Sequence, residues 1–136
     1  MQQPDVDAIA AEWLARTGTD PGALHAFLAE SVPDVEAWAM RRLGSAGLEP
    51  QILALSAEHL YRIASSVEDG RRAFGFDRLP LAGLSVAMRE WRDDDAVRRR
   101  WMLRTADDAF TVDTEQPEGD VPPLERLMRL VLERAR

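Results

Sequence analysis

The chain begins two of its segments with nearly the same five residues, and this recurrence constrains the fold more than any other feature. Residues 4–8 (PDVDA) are followed 29 positions later by residues 33–37 (PDVEA). Proline suits the first turn of a helix, and acidic side chains interact favourably with the positive end of the helix dipole. Looser versions of the phrase begin at Glu68 and Asp94. The recurrence predicts a chain of successive capped helices.

Apolar residues follow most of these starts at helical spacing. Residues three and four apart are neighbours on a helix surface. In the first segment this spacing places four apolar residues on one face, namely Val6, Ile9, Ala10 and Trp13. Similar patterns recur along the chain. They predict helices at about 4–16, from residue 21, from residue 31 to Gly44 or Gly47, at 50–69, at 81–91 and from about Pro123 to the end.

Residues 96–114 fit two structures. As strands, Trp101 and Leu103 alternate against Phe110 and Val112 across a turn. The turn contains no glycine or asparagine, which a tight hairpin prefers. We therefore expect a helix followed by a short extended piece, with a small β-hairpin at about 98–114 as the alternative.

The predicted fold class is all-α. A chain of 136 residues is long enough for one hydrophobic core, and we expect an irregular helical bundle or a short stack of helical hairpins. Residues 1–112 form the predicted helical domain, and residues 113–122 form an acidic, proline-containing linker. Residues 123–136 form a C-terminal helix that packs on the domain or on a partner.

Two segments resemble HEAT-type helical repeats. Residues 32–44 resemble the second helix of such a repeat, and residues 93–100, preceded by the predicted helix at 84–91, resemble another. In that family an acidic turn joins the two helices of each hairpin, and a valine packs just inside the second helix. The resemblance implies a small right-handed stack of hairpins that binds other molecules through its surface.

The composition and the absent motifs argue against several classes of enzyme and metal-binding protein. The chain contains no cysteine and only two histidines, so it has no disulfide framework and no cysteine-based metal site. It also lacks the sequence signatures of phosphate loops, zinc helices and serine hydrolases. We expect a protein that is not an enzyme and holds no cofactor or metal. Without a long apolar run or a basic N-terminal start, a cytoplasmic location is expected.

The charge is unevenly distributed, which suggests how the chain binds a partner. The formal net charge is -7, and residues 1–70 carry all of it because residues 71–136 are balanced. An acidic half favours a basic protein partner. The leading hypothesis is a protein–protein interaction module of the adaptor, inhibitor or immunity type, with a homodimer through the C-terminal helix as one arrangement. The candidate partner-binding residues are Asp5, Asp7, Asp34, Glu36, Trp38 and Met40.

The four tryptophans fall on the apolar faces of the predicted helices. They are Trp13, Trp38, Trp91 and Trp101. A buried tryptophan removes a large apolar area from water, so we expect core positions for most of them. One that is exposed beside Met40 or Met88 would mark the best partner site.

A second hypothesis is a phosphorelay carrier. His59, followed three positions later by Arg62, resembles the phosphorylatable segment of histidine-phosphotransfer domains, in which a cation steadies the phosphoryl group. The position after the cation is usually glycine in that family and is Ile63 here. His59 also lies within an apolar pattern, which favours a structural histidine.

A third hypothesis is a helical repeat that binds nucleic acid. Its candidate residues are Arg98, Arg99, Arg100 and Arg104, which could contact phosphates. The acidic run 93–95 beside them and the net negative charge favour a solvated helix face instead. Nucleic acid is therefore the less expected partner, and we expect no membrane association.

Overall fold

Two antiparallel sheets and three helices make up the part of the chain that the structure describes. The structure is a computed structural model, and it describes residues 4–32, 34–42, 50–94, 96–113 and 121–135. The helices are α1 (Pro4–Thr17), α2 (Gly22–Ser31) and α3 (Val121–Arg134). The strands are β1 (Ala37–Arg41), β2 (Gln51–Leu55), β3 (His59–Glu68), β4 (Arg71–Pro80), β5 (Ser85–Asp93), β6 (Ala96–Arg104) and β7 (Ala109–Asp113).

The first sheet has the strand order β1-β2-β3-β4 and lies between two layers. Side chains alternate between the faces of a strand, and here both faces are covered at β1, β2 and the first half of β3. One face packs against α1 and α2 through Met40, Ile52 and Ile63, while the other carries Leu53 and Leu60 into a second core. This arrangement explains why residues 52–55 form an uninterrupted buried run.

The second core joins both sheets to α3. The second sheet has the order β5-β6-β7 and contributes Trp101, Leu103 and Val112 to it. The apolar side of α3 packs there too, with Leu124, Leu127, Met128 and Val131 all buried. The interior of this protein therefore already covers the helix side that was expected to bind the domain or a second copy.

An arginine cluster also ties the two sheets together. The Arg62 guanidinium in β3 forms ion pairs with Asp77 of β4 and with Asp108 of the β6–β7 turn. It also lies 4.6 Å from the ring centre of Phe110, and Arg41 lies 5.5 Å from the same centre. The second sheet is thus held against the first by charge and ring contacts as well as by apolar packing.

The predicted all-α fold is wrong, and so is the resemblance to HEAT-type repeats. Strands occupy most of the predicted helices at 50–69 and 81–91, and strand β1 lies within the one predicted at 31–44. The reason is that a short apolar run buried on both sides fits a helix and a central strand equally well. The repeated phrase also has two outcomes, since the first copy opens α1 whereas the second precedes β1.

The segment at 98–114 forms the alternative structure rather than the favoured helix. Strand β6 pairs with β7, with Trp101 opposite Val112 and Leu103 opposite Phe110. The turn uses the Thr105 hydroxyl, which accepts a hydrogen bond from the backbone N–H of Asp108 at 3.0 Å. A side-chain acceptor thus replaces the glycine or asparagine that tight turns prefer.

Three of the predicted helices are confirmed. The segment at 4–16 corresponds to α1, the segment that begins near Pro21 to α2, and the C-terminal segment to α3. In α1 and α3 the amphipathic pattern is long enough to separate a helical from an extended period. The expected ends at Gly44 and Gly47, and most of the expected linker, lie outside the described residues. No helix within the described ranges has both the length and the apolar character to cross a membrane.

Candidate functional site

The outer face of the second sheet gathers arginines and a tryptophan onto one surface. Residues at even spacing along a strand share a face, and the strand register aligns these positions across β5 and β6. We call this surface the arginine face, and its residues are Arg89, Trp91, Arg98, Arg100 and Arg104. Met102 lies between them and is half-buried.

No described element of the protein covers the arginine face. Its four arginines are exposed, and Trp91 retains 44% of its accessible surface. The small neighbours Ser85, Ala87 and Thr111 are exposed as well. The opposite face of the same sheet is covered by α3 and by the first sheet around Trp101 and Leu103, whereas Met88 and Val97 on that face stay exposed. The second sheet therefore has one face in solvent and one that is partly in the core.

Two like charges oppose each other at the centre of this face. Arg89 pairs directly with Arg100 across the strands. The Arg100 guanidinium lies 5.4 Å from the centre of the Trp91 ring, which gives a cation–π contact. Among the described residues, neither Arg89, Arg100 nor Arg104 has a carboxylate partner. Directly opposed like charges destabilise a sheet. The register also places two acidic residues on this face, Asp93 in β5 and Asp113 opposite Arg100 in β7, so its four arginines outnumber its carboxylates.

The inner face beneath these arginines is held by ion pairs. Glu90 accepts hydrogen bonds from Arg92 at 2.7 Å and from Arg99 at 2.8 Å. These two guanidinium groups lower the pKa of the Glu90 carboxyl below its usual value of 4.5. Arg99 also pairs with Glu125 of α3 at 3.5 Å, and Glu125 accepts a hydrogen bond from the Trp101 indole. The arginine face is therefore supported from behind by α3.

Three of the four arginines considered for nucleic-acid binding lie together on this face. Arg98, Arg100 and Arg104 share it, whereas Arg99 points to the inner face and is engaged with acidic side chains. Trp101 is buried. The grouping depends on the strand, since on a helix these four residues would spread around the axis.

The two residues considered for a phosphorylation site, His59 and Arg62, lie on opposite faces of one strand. Both lie in β3, where a spacing of three places them on opposite faces of the strand. The His59 ring lies 6.2 Å from the Tyr61 ring on one side, and Arg62 binds Asp77 and Asp108 on the other. Within the described residues, no group of three or more histidine, aspartate or glutamate side chains is placed to hold a metal ion.

The acidic residues predicted to bind a partner are dispersed, and two of them are paired within the chain. Asp7 contacts His25 at 2.6 Å, and Glu36 forms an ion pair with Arg134 at 2.7 Å. Asp34 is exposed in a left-handed conformation with φ of 59°, and Asp5 is half-buried. The structure therefore places these carboxylates in separate local contacts.

The remaining two predicted partner residues, Trp38 and Met40, line a cleft beside β1. We call it the β1 cleft. It has a volume of about 450 Å³, and its lining residues are Glu12, Arg16, Trp38, Ala39, Met40, Pro123 and Arg126. Trp38 is half-buried, while Met40 and Ala39 are buried. The cleft lies between α1 and α3 at the outer edge of the first sheet.

The sequence did not single out Arg89 as a site residue, and it favoured a core position over an exposed one for Trp91. Their signal is present, since Arg89 and Trp91 in one segment and Arg98, Arg100 and Arg104 in the next all recur with a period of two. That period is typical of a half-buried strand. The same segments also carry apolar residues at helical spacing, and this second pattern concealed the first.

A comparison of the chain with known protein families and with curated proteins finds no match to either.

Proposed function

We propose that this chain is a protein-binding module without catalytic activity, and that the arginine face is its binding surface for an acidic partner protein. The observation that carries the proposal is the opposed pair Arg89 and Arg100 on an uncovered sheet face. An incoming carboxylate would remove the repulsion between the two guanidinium groups. Binding would then improve the local electrostatics of the sheet.

The residue types of the arginine face support a protein interface. Tryptophan and arginine contribute more binding energy than other residue types at protein interfaces, and methionine is also enriched there. Trp91 already contacts Arg100 in the free protein. This contact holds both side chains in place before binding, which reduces the conformational entropy lost on association.

The charge of the whole molecule favours a protein over a nucleic acid. The chain has a net charge of -7, and its overall field repels a long polyanion. Nucleic-acid binding also depends on neutralising several phosphates along a strand. Asp93 lies on the same strand face as Arg89, and Asp94 begins the adjoining turn. A compact acidic patch suits the arginine face better than an extended phosphate backbone.

This proposal changes the expected partner and keeps the expected class of function. The acidic first half of the sequence favoured a basic partner, but three of its carboxylates, those of Asp7, Glu12 and Glu36, have basic side chains of the same chain as partners. The cytoplasmic location expected from the sequence is retained as part of the proposal.

The test compares two variants of equal charge. R89S/R100S alters the arginine face, and R71S/R78S removes two exposed arginines of β4 on the first sheet. Each variant and the unaltered chain are used to capture proteins from cells that naturally express the chain, after nuclease treatment. We expect the unaltered chain and R71S/R78S to retain the same acidic protein and R89S/R100S to lose it.

Two results would overturn the proposal. One is an equal yield of the same partner with all three proteins. The other is seen when the capture is repeated without nuclease treatment. The unaltered chain would then retain a nucleic acid that R89S/R100S does not retain, and no captured acidic protein would depend on Arg89 and Arg100.

A further inference from the structure

Strand β5 is at the end of the second sheet and has an open edge. It pairs with β6 on one side, and no described strand pairs with it on the other. Residues 87–93 are all exposed. Glu90 is exposed as a whole residue although its side chain retains only 26% of its accessible surface, so part of the exposure belongs to the main chain. The backbone N–H and C=O groups of this edge can therefore pair with another strand.

The charges of β5 are arranged in opposite order on the two sides of Trp91. Residues 89–93 read REWRD. Positions equally far before and after Trp91 carry opposite charges, Arg89 with Asp93 and Glu90 with Arg92. In an antiparallel pair of two β5 strands centred on Trp91, each of these residues lies opposite its counterpart from the other strand. A two-fold interface of this kind uses the same surface of both copies.

Both kinds of ion pair would form on a single face of the joined strands. Residues directly opposite each other in an antiparallel pair share a face. Arg89 would meet Asp93 of the second copy on the outer face, and Glu90 would meet Arg92 of the second copy on the inner face. Arg92 retains 70% of its side-chain surface, so its guanidinium is accessible. The two Trp91 rings would be direct neighbours, and aromatic pairs across strands stabilise a sheet.

The same charges disfavour the neighbouring registers. A slip of two residues keeps every side chain on its face, but it centres the pair on Glu90 or on Arg92. Two identical charges then oppose each other directly, which destabilises a sheet. Charged side chains on an edge strand normally prevent pairing. In β5 they favour one register with one partner, a second copy of the same strand.

We infer that two copies of this chain associate by antiparallel pairing of their β5 strands, centred on Trp91. The pairing joins two three-stranded sheets into one sheet of six strands. The two arginine faces then lie next to each other on the same side of that sheet, and neither is covered. The dimer would enlarge the surface proposed for an acidic partner, but its formation does not require that partner.

The test is sedimentation of the purified full chain over a range of concentrations, with no partner protein present. We expect a concentration-dependent dimer. R89D opposes a carboxylate to Asp93 of the second copy, and D93R opposes a guanidinium to Arg89 of the second copy. Each change should weaken the dimer about tenfold or more, because it affects two symmetric sites. R78D makes the same charge change as R89D on an exposed arginine of β4 and should leave the dimer unaltered.

Mixing the two weakened variants separates pairing from any effect on folding. In a mixed dimer of R89D and D93R, both sites again place a carboxylate opposite a guanidinium. The mixture should therefore associate at concentrations where each variant alone is monomeric. The double variant R89D/D93R restores the same pairs and should dimerise as the unaltered chain does. Amide hydrogen exchange in residues 89–93 should be slower in each of these dimers.

Four results would overturn the inference. The unaltered chain could sediment as a monomer at every concentration, R89D and R78D could weaken the dimer equally, or the mixture of R89D and D93R could stay monomeric. The fourth is a dimer that persists in R89D and in D93R, since the copies would then meet through another surface. These measurements contain no acidic partner, so this inference and the function proposed for the arginine face can fail separately.

Discussion

At the residue scale, Arg89 and Arg100 oppose each other on a solvent-exposed face, and the Trp91 ring contacts the Arg100 guanidinium. Arginine is also a weaker strand former than a β-branched residue. Both effects lower the stability of the second sheet. A position that is poor for the fold and exposed to solvent is where a binding role is expected.

Replacing Arg89 with threonine should stabilise the protein. R89T removes the repulsion across the strands and should raise the free energy of unfolding by about 0.5 kcal/mol. The control is R104T, because Arg104 pairs with Ser85 and Ala109 and faces no like charge. Both changes introduce the same residue, so the difference between them in urea unfolding isolates the repulsion. A smaller effect for R89T than for R104T would contradict this account.

Glu90 makes the stability of the hairpin formed by β5 and β6 depend on pH. Its lowered pKa means that the folded state favours the ionised carboxylate over the protonated form. That contribution is complete above the usual pKa of 4.5 and is lost as the pH falls through the lower pKa of the folded state. E90Q should therefore unfold at lower urea concentration than the unaltered chain at neutral pH.

The difference in urea midpoint between E90Q and the unaltered chain should shrink as the pH falls below 4.5. The measurement is a series of urea titrations from neutral to acidic pH. D94N is a suitable control, since Asp94 is exposed and no described residue pairs with it. A pH-independent difference for E90Q would show that its effect does not come from the carboxylate charge.

At the scale of elements, the hairpin of β3 and β4 turns at Asp69 and Gly70. Both residues have positive φ, 51° and 74°, as the tight turn that matches the twist of a hairpin requires. Glycine reaches this region without strain, and aspartate tolerates it better than most residues.

Glycine at position 70 should contribute measurably to stability. G70A places a Cβ on a backbone with φ of 74° and should lower the free energy of unfolding by about 1 kcal/mol. The control is G75A in β4, where φ is not positive and an added Cβ meets no described atom within 4 Å. There alanine should raise stability by about 0.5 kcal/mol because glycine is a poor strand residue. If G70A and G75A change the stability measured by thermal unfolding equally, the assignment of this turn is contradicted.

The same turn shows how much of the fold was predictable from sequence. An Asp-Gly pair between alternating residues is a strong hairpin signal, yet after a long apolar pattern it also matches a helix end. The helices α1 and α3 were predictable because each has one apolar side and a polar remainder. Strand β2 was not, since residues 52–55 are buried on both faces and their period cannot be read.

The candidate site was predictable only in part, for the same reason. Arg98, Arg100 and Arg104 were identified as a group from their clustering in the sequence. Their common face, and the inclusion of Arg89 and Trp91, required the strand assignment and the register between β5 and β6. Register depends on long-range packing, here Trp101 and Leu103 in the shared core, which local sequence patterns do not specify.

At the scale of the whole molecule, the covered and uncovered sheet faces have different roles. The centre of the first sheet is covered on both sides, and α3 joins it to the inner face of the second. The outer face of the second sheet is left as a surface whose side chains are dispensable for the core. A molecule with net charge -7 thus presents a local positive surface, which can orient an acidic partner during association.

The central claim, that a partner protein binds the arginine face, is tested most directly by crosslinking in cells. A photo-reactive amino acid replaces Ala87, which is exposed at the middle of this face, or Ala57, which is exposed in the turn between β2 and β3. After irradiation of cells that naturally express the chain, we predict a crosslinked acidic protein from position 87 that is absent from position 57 and lost in R89S/R100S. Crosslinking of the same protein at position 57 alone, or of nucleic acid at position 87, would contradict the claim.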